Sequence, residues 1–598
     1  MSSRSSSKES QPLLCHRDQE SSYNSVQASE SSLPIDPPPL NQVSRVELFW
    51  ILAGLWSAVF LGSLDGTIVA TLLSPIGSYF SKSEQSSYLG TSYLLSVCCF
   101  TPLYGRLSDI LGRKGAMLLG LTLFGSGTIA CAFAPSMGAL IVARAVAGMG
   151  GGGVMTVSSI AISDLVPLKQ RGLYQGMTNI LFGLGAGLGG PFGGWVNDTL
   201  GWRAAFLLQA PLLLVSFTLV ALKVNIKLPN EIETQSTYSK LQRIDFMGSF
   251  TLVGAVAGLL LGFSLKTTEE LPWSHPLILG LFCTSAVFWV CFILVEAYWA
   301  PYPVMPLRLI TQRTPLAISL ANFLGSMTAF STRHLVQIYN VPLYFSAVRL
   351  NSSTNSGLHL LPHSIALSTG SMIAGWMMRR TGKLYYLTLA SVGSTIIASI
   401  CLALWDDNTS QYHLWLDIIP QGFGMASLIT TTLIAMIAGV YKEDMAVATG
   451  ITYLFRTTGQ VLGVSLSGAV LQSILLRKLR QRITGAGSLE VSGIDAVFRH
   501  SISSIPDLAP AYRTAAVESY ADALHVVFIC HIAINILVFI ACIPIEEHPL
   551  PYVIVTSDHA LPMLTCADIS RGTLQEQEEH YRNQQLEEND TAEAVDSP

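Results

Sequence analysis

Charged residues are scarce in this sequence. Only 12 % of its 598 residues are Asp, Glu, Lys or Arg, whereas 50 % are hydrophobic and the mean hydropathy is +0.46. Because a soluble protein of this size needs a more polar surface, the composition predicts a protein with many membrane-spanning helices in contact with lipid. The basic residues form no stripe, and the net charge of -5 comes mainly from an acidic C-terminal tail. We therefore expect no nucleic-acid partner.

Motifs for catalytic, metal or cofactor chemistry are also missing. The ten cysteines include no C-x-x-C pair, which argues against a metal site and against a disulfide framework. The glycine-rich run at 148–153 has no Lys-Ser/Thr after it, so it is typical of close helix packing and not of a phosphate loop. No set of nucleophile and base is present, so we expect no enzyme, no catalytic residue, no metal and no cofactor.

Both ends of the chain are polar. Residues 1–44 are predicted to be a disordered cytosolic tail, and residues 547–598 a disordered acidic cytosolic tail. Within the first tail, Glu9, Leu13 and Leu14 have an acidic-x-x-x-Leu-Leu spacing that resembles a dileucine sorting signal for vacuolar membranes. Such a signal would bind a sorting adaptor. The alternative interpretation is a chance match in a polar segment.

Fourteen apolar runs lie between the tails, each long enough to cross a bilayer as a helix. They predict an all-α polytopic membrane protein with its helices arranged 6+2+6. A six-helix bundle would occupy 45–222, and a linker with two extra helices would occupy 223–298. A second six-helix bundle would occupy 299–546, including a long non-cytosolic loop at 477–523 whose role the sequence does not explain.

Lys and Arg are concentrated in alternate short loops, which places both termini in the cytosol. Three N-x-Ser/Thr sequons outside the tails, at Asn197, Asn351 and Asn408, fall in loops that this orientation places outside the cytosol. We therefore expect these three asparagines to be sites of N-glycosylation.

The loop between the second and third runs has the sequence GRLSDILGRK at 105–114. Its glycines permit a tight turn against a neighbouring helix, and Asp109 and Arg113 can form a charge pair at the cytosolic face. The spacing resembles the signature loop of the major facilitator superfamily, and a degenerate copy at 375–383 fits the parallel repeats of such a fold. The residues that the resemblance assigns to conformational change are Gly105, Asp109, Gly112, Arg113 and Lys114.

A Gly-Pro pair interrupts the fifth run. Gly190, Pro191 and Gly194 resemble the Gly-Pro motif of proton-linked antiporters, although Ala186 stands where the first glycine is usual. Proline removes a backbone hydrogen bond and the glycines thin the helix, so two bundles could rock against each other here. The alternative is a packing kink without a role in transport.

Some charged side chains lie deep inside apolar runs, where a charge is expensive and therefore marks a functional position. They include Asp65, Arg144, Arg333 and Arg456. The segment around Arg144 resembles the fourth-helix motif of the superfamily, whose arginine is associated with proton coupling. Snorkelling of Arg144 to the non-cytosolic surface is the alternative. Arg456 could contact substrate or pair with another polar group.

Arg333, Gln337 and Asn340 share one helix face because they are spaced at i, i+4 and i+7. Arg333 and Asp65 lie at similar depths in the first helix of each half, so we expect both to line a central cavity. As a hypothesis, Asp65 alternates between a proton and the cationic group of a substrate, while an arginine such as Arg333 receives the substrate carboxylate. A structural pair between Asp65 and Arg144 is the alternative.

Taken together, the helix count and these motifs resemble the fourteen-helix drug:proton antiporter family of the major facilitator superfamily, over residues 45–546. Segments 64–71, 100–105 and 456–463 look most like fungal vacuolar basic amino acid transporters. The resemblance implies a major facilitator fold and proton-coupled import of Lys, Arg or His across the vacuolar membrane, with a small cationic solute and protons as partners. A plasma-membrane exporter of drugs or siderophores and a non-transporting nutrient sensor are the alternatives.

Overall fold

The computed structural model describes most of the chain between residues 44 and 547. The described residues are 44–82, 85–226, 244–268, 271–331, 344, 348–349, 361–406, 409–441, 444–482 and 510–547. They contain sixteen α-helices and no β-strand, so the predicted all-α fold is confirmed for this part of the chain. In chain order the helices are α1 (Arg45–Tyr79), α2 (Ser87–Phe133), α3 (Met137–Leu165), α4 (Leu168–Leu200), α5 (Trp202–Leu207), α6 (Ala210–Lys223), α7 (Phe246–Thr268), α8 (Pro276–Tyr298), α9 (Leu307–Thr311), α10 (Arg313–Ser331), α11 (Leu361–Thr381), α12 (Tyr385–Ala403), α13 (Gln411–Leu416), α14 (Ile419–Ala438), α15 (Met445–Arg482) and α16 (Pro510–Cys542).

The first helix begins at a capping box. Ser44 Oγ accepts a hydrogen bond from the backbone N–H of Glu47, and Glu47 Oε2 accepts one from the backbone N–H of Ser44, both at 3.2 Å. The helix then continues for 35 residues, which is about 50 Å at roughly 1.5 Å per residue and exceeds a hydrocarbon thickness of about 30 Å. Asp65 therefore lies inside one continuous apolar helix.

The second helix contains two of the predicted runs. It is 47 residues long, and its direction changes at Gly112, which has φ 84° and ψ 157°. Since an L side chain rarely adopts a positive φ, glycine is required at this position. The kink separates the second predicted membrane helix from the third and folds the signature loop between them.

Ten segments of the described residues are helical, long and apolar enough to cross a membrane. Two of these segments each combine a short helix with the longer helix that follows it, α5 with α6 and α13 with α14. All fourteen predicted runs fall on described helix, at least in part, with two of them in α2. The helices α4, α10 and α11 do not meet the same length and hydropathy test. A polytopic membrane protein is thus confirmed, and the count of fourteen spans stays a prediction.

Parts of the predicted loop at 477–523 are helical. The helix α15 continues to Arg482 and α16 begins at Pro510. The two extensions are joined by ion pairs, with Lys478 Nζ 2.9 Å from Asp522 Oδ2 and Arg482 Nε 3.2 Å from Glu518 Oε2. Counting apolar residues misses such extensions, because paired charges replace the apolar pattern once a helix leaves the membrane.

The first half (α1–α6) and the second half (α10–α16) approach closely on the side of the signature loop. A Cβ added at Gly375 of α11 would lie 2.4 Å from the carbonyl oxygen of Gly172 in α4. One added at Gly105 of α2 would lie 2.9 Å from the carbonyl oxygen of Ala446 in α15. Only glycine permits such close contact between helices. The first glycines of the signature loop and of its degenerate copy therefore both lie where the two halves touch.

Candidate functional site

A cavity of about 200 Å³ lies between the two halves. Its walls come from α1, α2, α3 and α4 on one side and from α11, α14 and α15 on the other. The lining combines apolar residues with polar side chains from both halves, as sites for small molecules do. Its polar residues include Tyr93, Asn179, Tyr453 and Arg456.

Arg456 is the one charged side chain among the described residues that line this cavity. Its Nε and Nη2 donate hydrogen bonds to Asn322 Oδ1 at 3.2 and 3.0 Å. Its guanidinium carbon lies 4.9 Å from the centre of the Tyr453 ring. Both contacts are with neutral groups, so the positive charge is oriented and no acid within the described residues cancels it. The structure therefore places a cation at the cavity wall.

Asp65 lies behind the cavity wall. Its Oδ2 is 2.6 Å from Arg144 Nη1, and the two side chains are 0 % and 1 % exposed. Gln209 Nε2 donates to Asp65 Oδ1 at 3.4 Å, and Arg144 Nε donates to the carbonyl oxygen of Leu89 at 3.5 Å. The guanidinium carbon of Arg144 is 4.3 Å from the centre of the Tyr93 ring. Tyr93 also lines the cavity, so its ring lies between the cavity and Arg144.

One expectation from the sequence therefore needs correction, and one alternative is excluded. Asp65 does not line the cavity, and Arg144 does not snorkel to the surface, since both are buried against each other. The physical reason is that an isolated charge in apolar surroundings costs several kcal/mol, whereas opposite charges with further hydrogen bonds offset much of that cost. The geometry matches the alternative in which Asp65 pairs with Arg144.

The signature loop forms the expected charge pair and adds a third member. Arg113 Nη1 lies 2.5 Å from Asp109 Oδ1, and Arg113 Nε lies 2.6 Å from Asp164 Oδ2 at the end of α3. Lys114 beside it is half-buried. Asp164 was not predicted from the sequence, although an acid at the end of the fourth apolar run could have indicated a partner for Arg113.

Close packing along α4 does not coincide with the predicted motif glycines. A Cβ added at Gly189 would lie 1.9 Å from Thr67 Oγ1 of α1, whereas one added at Gly194 would meet nothing within 4 Å, and Gly190 meets only ordinary contact. The helix is continuous through Pro191. The glycines that α1 contacts most closely are thus Gly185, Gly189 and Gly193 rather than the predicted Gly190 and Gly194, because the contact face depends on how the two helices are rotated.

A polar cluster that includes the cavity-lining Asn179 joins the two halves. Asn179 Nδ2 of α4 donates to Ser371 Oγ of α11 at 2.7 Å and to Thr430 Oγ1 of α14 at 3.4 Å. The two hydroxyls are 2.5 Å apart. Together with the glycine contacts, this cluster keeps the halves together on the side of the signature loop. No spacing in the sequence pointed to it.

Several predicted site residues lie outside the described residues. They are Glu9, Leu13, Leu14, Arg333, Gln337, Asn340, Asn351 and Asn408. Their roles in sorting, substrate binding and glycosylation stay predictions. The remaining sequon residue, Asn197, lies in the last turn of α4 and its Nδ2 donates to Asp198 Oδ1 at 3.2 Å.

Fungal relatives share most of their length with this chain. It is 37 % identical to multidrug resistance protein fnx1 of Schizosaccharomyces pombe, over 80 % of this chain and 88 % of the relative. It is 34 % identical to vacuolar membrane amino acid uptake transporter fnx2 of the same yeast, over 83 % of each chain. It is also 34 % identical to vacuolar basic amino acid transporter 1 of Saccharomyces cerevisiae, over 72 % of this chain and 80 % of the relative.

Solved transporter structures have the same fold. The human organic anion transporter MFSD10 aligns with a TM-score of 0.53 at 16 % identity, over 85 % of this chain and 100 % of that protein. A bacterial homologue of the human lysosomal transporter Spinster aligns with a TM-score of 0.51 at 14 % identity, over 84 % and 98 %. At these identities the likeness shows the fold alone.

The family model described as Major Facilitator Superfamily matches residues 55–464, which is more than half of the chain. The family and these relatives are membrane transporters, consistent with the expectation that the chain is not an enzyme. The resemblance carried by the signature loop and the intramembrane charges is thereby confirmed. The chain belongs to the major facilitator superfamily, and its relatives include fungal vacuolar basic amino acid transporters.

Proposed function

We propose that this protein is a proton-coupled antiporter that imports basic amino acids into the vacuole by alternating access. The single observation that carries the proposal is the uncancelled charge of Arg456 at the wall of a cavity between the two halves. Two relatives whose names specify vacuolar amino acid transport support the substrate class and the compartment. The dileucine-like segment at 9–14 supports the same compartment.

The substrate carboxylate binds at Arg456. A guanidinium held in an apolar cavity attracts a carboxylate strongly, because water screens the interaction less there than at a surface. Arg456 thus takes the role that was predicted from the sequence for an arginine such as Arg333. Tyr453, whose ring contacts Arg456, lines the same cavity, and aromatic rings attract cationic groups.

Proton coupling takes place at the pair of Asp65 and Arg144. In this conformation the Arg144 guanidinium pairs with the Asp65 carboxylate, which a proton would neutralise in other steps of the cycle. Exchange of one proton for one monovalent cation is electroneutral, so the pH difference alone drives accumulation. That difference is worth roughly 1.4 kcal/mol, or tenfold, per pH unit.

Vesicles from vacuolar membranes, acidified inside and supplied with labelled Lys, Arg or His, test the proposal. We expect uptake that an uncoupler abolishes. Asp65→Asn should lower this uptake about tenfold or more at normal protein levels, whereas Asp198→Asn, at an exposed position at the end of α4, should leave it unchanged. Uptake that continues in the Asp65→Asn protein, or that ignores the uncoupler, would contradict the proposal.

The second candidate function is export of drugs. It is favoured by the name of the 37 % identical relative, a multidrug resistance protein, and by efflux pumps among the other relatives. Two assays distinguish these functions. An importer concentrates labelled amino acids in the acidic lumen of the vesicles, whereas a plasma-membrane exporter lowers the amount of labelled drug retained by intact cells. A nutrient sensor would bind ligand and move none.

A further inference from the structure

The guanidinium of Arg456 is held by hydrogen bonds to Asn322. Asn322 Oδ1 of α10 accepts hydrogen bonds from both Nε and Nη2 of Arg456. The amide of Asn322 is itself held, because its Nδ2 donates to the carbonyl oxygen of Ile318 at 2.9 Å. Asn322 and Arg456 are only 2 % and 6 % exposed. The Asn322 amide therefore cannot turn over without breaking a buried hydrogen bond.

This arrangement leaves donors of Arg456 for a ligand. A guanidinium has five N–H groups in a planar fork, and the two contacts with Asn322 use two different nitrogens on one edge of that plane. Arg456 lines the cavity, whereas Asn322 does not. The side chain that orients the arginine is thus on the protein side of the guanidinium, and the cavity is on another side.

The identity of the acceptor determines the charge of the site. An aspartate at position 322 would have nearly the same shape and could accept the same two hydrogen bonds. It would also form a buried ion pair whose net charge is zero, as Asp65 and Arg144 do. A neutral pair attracts a carboxylate much less than an uncancelled guanidinium does.

We propose that Asn322 is a specificity-determining positioning residue: its neutral amide orients Arg456 without cancelling its charge, so that the cavity selects solutes that carry a carboxylate. The inference rests on the proposed function for the role of Arg456. It goes beyond that function in explaining how a transporter for basic amino acids rejects amines of otherwise identical shape.

Lysine and cadaverine provide the test, because cadaverine is lysine without its carboxylate. In acidified vesicles that contain the full-length protein, we measure KM and kcat for labelled lysine and the inhibition constant of cadaverine. The wild type should prefer lysine by about tenfold or more, as expected for loss of a charged hydrogen bond. Asn322→Asp should raise the KM for lysine by a similar factor and leave the inhibition constant of cadaverine unchanged or lower.

Asn322→Ala is the matched second variant. It removes the acceptor and keeps the charge of Arg456, so the KM for lysine should rise less than with Asn322→Asp while cadaverine inhibition stays unchanged. If the aspartate variant does not accumulate, this alanine variant decides the question. A general packing defect would instead change both ligands alike.

The outcomes separate the inference from the proposed function. If wild type transports lysine but Asn322→Asp keeps its preference for lysine over cadaverine, the inference is wrong and the function stands. If wild type instead takes up neutral or acidic amino acids, and Asn322→Asp weakens them, the inference stands and the basic substrate class is wrong. If wild type takes up none of these solutes, both are wrong.

Discussion

Two buried arginines in this protein are held in different ways. Arg144, in the first half, binds the carboxylate of Asp65 on α1, whereas Arg456, in the second half, binds the amide of Asn322 on α10. Each arginine thus reaches the first helix of its own half. The first contact cancels a charge behind the cavity wall, and the second leaves a charge at the wall. The same side chain can therefore close a charge pair or present a charge, depending on its acceptor.

Each arginine also contacts a tyrosine that lines the cavity. Tyr93 lies under Arg144 and Tyr453 under Arg456, at 4.3 and 4.9 Å from ring centre to guanidinium carbon. Arg456 itself lines this cavity, whereas the pair of Asp65 and Arg144 is separated from it by the Tyr93 ring. A ligand at Arg456 contacts the cavity directly, whereas a change at the pair of Asp65 and Arg144 reaches the cavity through Tyr93. This difference suits substrate binding at one site and proton binding at the other.

The largest expected effect comes from breaking the charge pair. Arg144→Leu leaves the carboxylate of Asp65 buried without a cation, which typically lowers the free energy of unfolding by about 3–5 kcal/mol. The midpoint of thermal unfolding of the purified protein should fall accordingly. The double variant Asp65→Asn/Arg144→Leu buries no charge, so it should regain most of the loss and still show no pH-driven uptake. A single variant as stable as wild type would show that the pair has no role in folding.

Removing the other arginine should cost less stability. Arg456→Leu leaves only a neutral amide oxygen without its partner, a loss of about 1–3 kcal/mol. Transport should suffer more than stability, with the KM for lysine raised about tenfold or more. Arg456→Lys keeps a charge but loses the fork of donors, so its KM should be intermediate. If Arg456→Leu unfolded the protein as strongly as Arg144→Leu, the contrast between the two sites would be lost.

The sequence predicted the helices and singled out the buried charges, but it did not predict all of their contacts. Apolar runs gave the helices, because lipid contact requires long apolar segments. Asp65, Arg144 and Arg456 stood out because intramembrane charges are rare. Asn322 did not, since one neutral amide in an apolar helix has no pattern around it. Its contact with Arg456 joins residues 134 positions apart, and only the packing of α10 against α15 creates it.

The orientation of α1 explains why the position of Asp65 was predicted incorrectly. The sequence placed Asp65 on the cavity because its depth matched that of Arg333. Depth along a helix does not specify rotation about the helix axis, and the rotation of α1 turns Asp65 toward Arg144 while Gly66 and Thr67 line the cavity. Glycine packing on α4 differed from the motif for the same reason.

The smallest expected effects come from the two tyrosines, and they separate the sites most finely. Tyr453→Leu removes a ring contact of Arg456, which is worth about 0.5–2 kcal/mol, so the KM for lysine should rise a few-fold at every pH. Tyr93→Leu instead removes the ring between the cavity and the pair of Asp65 and Arg144, so it should change how uptake depends on pH and alter the KM less. Measuring KM and maximal uptake at several lumenal pH values checks both. If both variants changed the KM alone, or both changed the pH dependence alone, substrate and proton would share one site. Separate sites require that the loss of each ring changes a different one of these two quantities.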